Sequence, residues 1–258
     1  MTRRIIAFAN QKGGVGKTTT AVNLATAIAA FGHTVLLVDL DPQGNASTSL
    51  GFSQADRVHG TYAVLARQIN INDAIVPTSI GNLSLLAAEL DLGGVEVELA
   101  TASGREFRLA EQLGLLTDRF DYVLIDCPPS IGLLTLNALV AAHSVIVPLQ
   151  CEFFALEGLS QLTRSIERAR AQLNVGLEIQ GIVLTMYDRR NNLSELVASD
   201  VRAFFGAKVY ETVIPRNVRV SEAPSHGKPV LLYDYRSPGS QAYVRLAAEV
   251  LRQERDRS

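Results

Sequence analysis

Short runs rich in Val, Ile and Leu recur along this chain, and stretches with helical spacing separate them. Six of the runs cover residues 5–9, 34–38, 83–86, 122–125, 144–147 and 182–184. Their apolarity is nearly continuous rather than alternating, which is typical of parallel strands buried on both faces. Apolar residues at helical spacing lie at 21–29 and 156–166. The chain is therefore predicted to be an α/β protein, with a doubly wound, mostly parallel sheet flanked by helices, whose ligands bind at the carboxyl ends of the strands.

The rest of the chain adds few features to this pattern. A more mixed run at 209–214 is a candidate seventh strand, residues 52–82 suggest peripheral helices and loops, and residues 240–255 suggest a helix packed on the domain. No Pro/Gly/Ser-rich linker or repeat interrupts the 258 residues, so we expect one domain, 1–258. No apolar stretch is long enough for a membrane span or a signal peptide, which predicts a cytoplasmic protein.

A glycine-rich loop stands between the first predicted strand and the first predicted helix. It runs from Lys12 through Gly13, Gly14, Val15 and Gly16 to Lys17, Thr18 and Thr19. Glycines let backbone N–H groups converge on a phosphate, and the helix N-terminus adds a favourable dipole. Lys17 can reach the β- and γ-phosphates of a nucleotide, and the Thr18 hydroxyl can ligate Mg²⁺.

This loop departs from the common phosphate-binding pattern GxxxxGK[ST], because Gln11 stands where the first glycine is expected. A second lysine, Lys12, begins the loop instead. Two lysines exceed what one γ-phosphate requires, which suggests that Lys12 points toward a nucleotide in a neighbouring subunit. The spacing alone is also compatible with a solvated loop residue.

Carboxylates follow two of the predicted strands. Asp39 and Asp41 come at the end of the second run, and either could hold a metal or orient a water. Asp126 closes the run 122–125, as a Walker-B aspartate does when it presents a carboxylate to Mg²⁺.

Four segments together resemble a known family. They are KGGVGKTT at 12–19, VDLDPQGN at 38–45, IDCPPS at 125–130 and IPRNVRVSEAPS at 214–225. These segments are similar to those of the ParA/Soj ATPases of chromosome and plasmid partitioning, within the deviant Walker-A class of P-loop NTPases that includes MinD. The similarity covers about residues 4 to 250, and its last motif is the most specific.

The resemblance implies roles that the spacing does not. It implies ATP and Mg²⁺ as cofactors and a homodimer formed on ATP, with Lys12 crossing to the partner's phosphates. It implies that Asp41 positions the hydrolytic water, that Asp126 acts through the Mg²⁺ shell, and that 126–132 is a switch loop. Pro215 and Asn217 occupy the positions that contact adenine in the family.

Residues 188–219 are locally basic. Taken alone, this stretch could be an ordinary solvated face. In the family, the positions matching Arg190 and Arg219 bind DNA, which implies salt-sensitive, non-specific binding of double-stranded DNA and association with the nucleoid. A ParB-like centromere-binding protein is the implied partner that stimulates a slow ATPase.

Two other functions remain as alternatives. A MinD-like positioning ATPase would need a membrane-binding C-terminal helix, and the charged residues 253–256 do not resemble one. An ATP-coupled reductase like the nitrogenase iron protein would need cysteines for an iron–sulfur cluster. Cys127 directly follows Asp126, where burial is the simpler expectation.

Overall fold

A seven-stranded sheet forms the centre of the molecule in the computed structural model, which describes residues 3–117 and 119–257. The strands are β1 Arg4–Phe8, β2 Val35–Asp39, β3 Val76–Pro77, β4 Leu83–Leu86, β5 Tyr122–Asp126, β6 Ser144–Gln150 and β7 Glu178–Thr185. Their spatial order is β3-β4-β2-β5-β1-β6-β7, and every neighbouring pair is parallel except β3 and β4. This confirms the predicted α/β fold class.

Helices cover both faces of the sheet. They are α1 Lys17–Ala30, α2 Asn45–Ser49, α3 Thr61–Leu65, α4 Ile71–Ala74, α5 Val95–Glu98, α6 Arg108–Gly114, α7 Leu133–Ala141, α8 Ala155–Gln172, α9 Asn192–Phe205, α10 Val218–Glu222, α11 Val230–Tyr233 and α12 Pro238–Arg257. Ile6 and Phe8 of β1 pack in a layer with α1 and α12, whereas Ala7 packs in the opposite layer with α7 and α8. Burial on both faces explains why the strands lack polar alternation.

The helices predicted at 21–29, 156–166 and 240–255 are confirmed as parts of α1, α8 and α12. The last of these packs on the domain, because Tyr243, Leu246 and Val250 are buried in the same layer as α1.

The predicted strand at 209–214 is wrong. Only isolated bridges form in this region, between Val209 and Ile182 and between Pro215 and Tyr187. The backbone N–H groups of Glu211 and of the next residue donate to the Glu249 carboxylate, at 2.7 and 3.1 Å, rather than to a neighbouring strand.

The seventh strand lies instead in the stretch 52–82, which the sequence assigned to helices and loops. It is the two-residue β3, paired antiparallel with β4 at the edge of the sheet. A strand of two residues is too short to show any periodicity.

The topology places the ends of three strands side by side. Asp126 at the end of β5 is in register with Phe8 of β1 on one side and with Asp39 of β2 on the other. The loops that follow these strands therefore meet at one edge of the sheet.

Candidate functional site: a phosphate loop beside a base cleft

The glycine-rich loop leads directly from β1 into α1. Gly16 is the N-cap of α1 at φ 87°, a left-handed conformation that a residue with a Cβ adopts only with strain. The first intrahelical bond runs from Thr20 N to Gly16 O at 2.9 Å. The N–H groups of the preceding helical residues therefore have no partner within the helix and are available to an anion.

The two lysines of the loop point to different places. Lys17 is buried, and its Nζ donates to the backbone carbonyl of Lys12 at 3.1 Å. Burial lowers the pKa of Lys17, while the nearby carboxylate of Asp126 acts in the opposite direction. The Lys12 side chain is half-exposed, and its ammonium forms an ion pair with Glu152, just past the end of β6. Lys17 thus belongs to the loop interior and Lys12 to its rim.

Asp126 is fully buried at the end of β5. Neither of its carboxylate oxygens accepts a hydrogen bond of normal geometry from residues 3–117 and 119–257. Burial, followed by the charge of Asp39, raises the pKa of Asp126 well above its usual range, and the adjacent Thr18 hydroxyl partly offsets this. Unpartnered carboxylate oxygens beside a hydroxyl are hard oxygen donors, the set that Mg²⁺ prefers. The donors present therefore fit this metal.

The structure separates the two aspartates that the spacing left equivalent. Asp39 is fully buried, and its Oδ2 accepts hydrogen bonds from the backbone N and the Oγ of Ser47, at 2.8 and 2.7 Å. Burial nevertheless raises the pKa of Asp39 to about 6. Asp41 instead lines the cleft beside the phosphate loop, and its Oδ1 accepts from Gln43 N at 3.0 Å. Asp39 anchors α2, and Asp41 faces the site.

Two clefts adjoin at this edge of the sheet. The first, with a volume of about 310 Å³, is lined by Gly13, Gly14, Gly16, Lys17, Thr18, Thr19, Asp41, Gln43, Asn45, Pro129 and Met186. The second, of about 220 Å³, includes Pro215 and Asn217 in its wall. Gly16, Thr19 and Met186 belong to both clefts, so together they form one elongated depression. We call the two parts the phosphate cleft and the base cleft.

Most of the expected nucleotide residues thus line the two clefts, but two of them do not. Val15 is buried, with its carbonyl accepting the Thr185 hydroxyl at 2.8 Å, and Lys12 lies on the rim. Asp126 lies beneath the phosphate cleft rather than on its wall.

Sequence reasoning missed Met186, which lies where the clefts meet and has a φ of 48°. A positive φ in a residue other than glycine costs on the order of 1–3 kcal/mol and is common at ligand sites. No sequence signal marks it. Cys127, as expected, is fully buried, and burial raises the pKa of its thiol.

Arg190 and Arg219 are both exposed, and both have carboxylate partners. Arg190 forms a two-bond pair with Asp188, at 3.0 and 2.9 Å. Arg219 Nη1 donates to Glu222 Oε2 at 2.9 Å, and its Nε lies 3.5 Å from Asp234 Oδ2. Exposed pairs of this kind are weak and easily exchanged for another anion.

Within the described ranges, no helix combines the length and apolar character needed to cross a bilayer.

Comparison with known proteins places this chain in a family. Residues 3–179 match a family model described as an AAA domain. The chain is 61% identical over 256 residues to the chromosome partitioning protein ParA of Caulobacter vibrioides, covering 98% of this chain and 96% of the relative. It is 52% identical over 247 residues to the sporulation initiation inhibitor protein Soj of Bacillus subtilis, covering 96% and 98%.

Solved structures share the fold. The cobyrinic acid a,c-diamide synthase of Mycobacterium smegmatis, with bound ADP and magnesium, is 39% identical with a TM-score of 0.88, over 100% of this chain and 97% of that one. The septum site-determining protein MinD of Pyrococcus horikoshii, complexed with Mg-ADP, is 28% identical with a TM-score of 0.78, over 96% of each chain. The identity to ParA and Soj over nearly the whole length decides the assignment: this chain belongs to the ParA/Soj family of chromosome partitioning ATPases.

Proposed function

We propose that this protein is an ATP-dependent switch for DNA partitioning. ATP binding drives formation of a homodimer that binds double-stranded DNA without sequence preference, and hydrolysis, stimulated by a ParB-like partner, releases it. The observation that carries the proposal is that the two lysine side chains of one loop point to different places. Lys17 turns into the loop, while Lys12 extends from the rim, where a second subunit could be reached.

The clefts provide for a nucleoside triphosphate. The free N–H groups at the start of α1 and the Lys17 ammonium would hold the β- and γ-phosphates, and the base would lie against Pro215 and Asn217 in the base cleft. Structural relatives with bound ADP and magnesium support this placement. Thr18 and Asp126 would hold Mg²⁺, which supplies charge neutralisation at the phosphates.

Hydrolysis needs an oriented water more than it needs covalent chemistry from the protein. Asp41 faces the phosphate cleft, and its Oδ1 is fixed by Gln43 N, so its second oxygen is available to a water in line with the γ-phosphate. Buried Asp39 fixes the loop below by accepting a hydrogen bond from Asp41 N at 3.3 Å. One subunit alone lacks the Lys12 that its partner would supply, so its ATP hydrolysis is expected to be slow.

DNA binding would use exposed arginines. Arg190 follows β7, and Arg219 lies in α10, which forms part of the base-cleft wall. The Tyr187–Pro215 bridge joins the backbones of these two segments. Two such faces in one dimer bind bivalently, so loss of the dimer after hydrolysis weakens the hold on DNA. This accounts for release and for the expected association with the nucleoid.

The proposal is tested by measuring mass in solution and retention of duplex DNA with ATP, with ADP and without nucleotide. Asp41→Ala should accumulate as an ATP-bound dimer on DNA, and Lys17→Ala should stay a DNA-free monomer. Arg219→Glu should dimerise with ATP but lose DNA retention. Arg170→Glu on the exposed side of α8 makes the same change in net charge and is the control. An Asp41→Ala protein that remains monomeric with saturating ATP would refute the proposal.

A further inference from the structure

Two glycines outside both clefts bring separate parts of the chain into backbone contact. Gly51 follows α2, and Gly227 follows the 3₁₀ turn Ala223–His226, which continues directly from α10. A Cβ built on Gly227 would lie 2.9 Å from Gly51 Cα, and one built on Gly51 would lie 3.2 Å from Gly227 O. Neither position can accept a larger residue without a shift of the backbone opposite.

One side of the contact is connected to the phosphate cleft. Asp41, Gln43 and Asn45 line that cleft, and Asn45 is the first residue of α2. Helix α2 has five residues and is held below by the bonds from Ser47 to the buried carboxylate of Asp39. One short helix therefore connects the Asp41 loop to Gly51.

The other side forms a small unit that includes Arg219. Asn217 is the N-cap of helix α10, and its Oδ1 accepts from Arg219 N at 3.0 Å. The carboxylate of Glu222 accepts from Arg219 Nη1 at 2.9 Å and from the Tyr233 hydroxyl at 3.3 Å. The 3₁₀ turn follows α10 without a break, so residues 217–227 form one continuous unit that ends at Gly227.

The same unit is also the wall of the base cleft. Val220, Ser221 and Pro224 line that cleft together with Asn217. If a nucleotide filled both clefts, its base would contact this unit directly. Its phosphates would be connected to the same unit indirectly, through α2 and the Gly51–Gly227 contact.

We propose that the Gly51–Gly227 contact couples the presence of a γ-phosphate beside Asp41 in the phosphate cleft to the position of Arg219 within each subunit. The contact is a positioning element, since neither glycine lines the phosphate cleft or the base cleft. The inference rests on the proposed DNA-binding function and adds to it: dimerisation doubles the DNA-binding surface, and this contact sets the orientation of Arg219 on each half. A closely packed contact transmits displacement because its members cannot interpenetrate.

The chain supplies matched controls for both glycines. Gly227 has a φ of 61° and Gly104 one of 65°, whereas Gly51 has a φ of 88° and Gly32 one of 90°. A Cβ on Gly104 or Gly32 meets no atom within 4 Å among the described residues. Gly227→Ala and Gly104→Ala therefore carry the same left-handed backbone strain, and so do Gly51→Ala and Gly32→Ala. Within each pair, only the first variant also disturbs the contact.

The experiment measures the ratio of duplex-DNA affinities with ATP and with ADP, alongside the mass of the ATP-bound species. Coupling between two sites commonly amounts to about 5–150-fold in affinity. We expect Gly227→Ala to dimerise with ATP but to reduce the ratio at least about fivefold relative to Gly104→Ala. Gly51→Ala, whose overlap is milder, should reduce it in the same direction relative to Gly32→Ala, and it decides the question if Gly227→Ala does not fold.

The inference is overturned if the ratio in the contact variants equals that in their controls. It is also overturned if ATP-dependent dimerisation is lost together with DNA binding, because the contact would then act on the nucleotide site alone. Failure of the proposed function is distinguishable: the unmodified protein would itself bind DNA equally with ATP and ADP.

Discussion

Replacing Ser47 by alanine should destabilise the protein far more than replacing its neighbour Ser49. Ser47 is fully buried on α2, and its Oγ donates to the Asp39 carboxylate at 2.7 Å while accepting from Ala88 N at 3.1 Å. The bond to the charged group contributes about 1.5–3 kcal/mol. Its loss also leaves the buried Ala88 N–H without this acceptor, which costs about 1–3 kcal/mol more. We therefore expect Ser47→Ala to lower the free energy of unfolding by about 4 kcal/mol.

Ser49 is a matched control on the same helix. It is also buried, but its Oγ makes one neutral bond, to Asn45 O at 2.7 Å. Ser49→Ala should cost about 1 kcal/mol. Equilibrium unfolding in urea, followed by circular dichroism, gives both values from the shift in midpoint. The reasoning fails if the two variants are destabilised equally. Since the Ser47 bonds also lower the pKa of Asp39, that carboxyl should hold its proton to a higher pH in Ser47→Ala.

Three further predictions concern packing, pH and the rim of the loop. Gly181→Ala would place a methyl group against the Tyr210 ring and should cost about 1–3 kcal/mol, seen as a lower melting temperature. Burial raises the pKa of Asp39 to about 6, so the folded chain keeps a proton that the unfolded chain releases above about pH 4. Without metal, the free energy of unfolding should therefore decrease as the pH rises from about 4 to about 6. An increase over this pH range would contradict the prediction. Glu152→Gln frees the Lys12 ammonium and should strengthen ATP-dependent dimerisation by up to about fivefold, measured by sedimentation; weaker dimerisation would show that Glu152 assists the dimer.

Much of the fold could be predicted because a strand buried on both faces of a sheet has a nearly continuous run of apolar residues. Six continuous apolar runs are six of the seven strands, and α1, α8 and α12 follow helical spacing. The run at 209–214 has the composition of a strand, and the N–H groups of Tyr210 and Ile214 donate to β7 carbonyls. The two residues that follow Tyr210 instead donate to the Glu249 carboxylate, so no continuous strand forms. Such competition between distant groups has no local signature.

The candidate site divides in the same way. Parallel strands bring their carboxyl ends together, so the sequence could predict that the glycine loop, Asp41 and Asp126 would meet. The spacing could not decide between Asp39 and Asp41, and only the family resemblance pointed to Asp41, because the difference lies in the bonds that Ser47 makes to Asp39.

The sequence by itself determined the fold class, the phosphate loop and the family, because these depend on local spacing and on motifs read in order along the chain. Tertiary structure alone decided that Ser47 binds the buried Asp39 carboxylate, where Met186 lies, and that Gly51 contacts Gly227. These features depend on contacts between residues far apart in the chain, and close packing fixes such contacts only once the whole domain has formed.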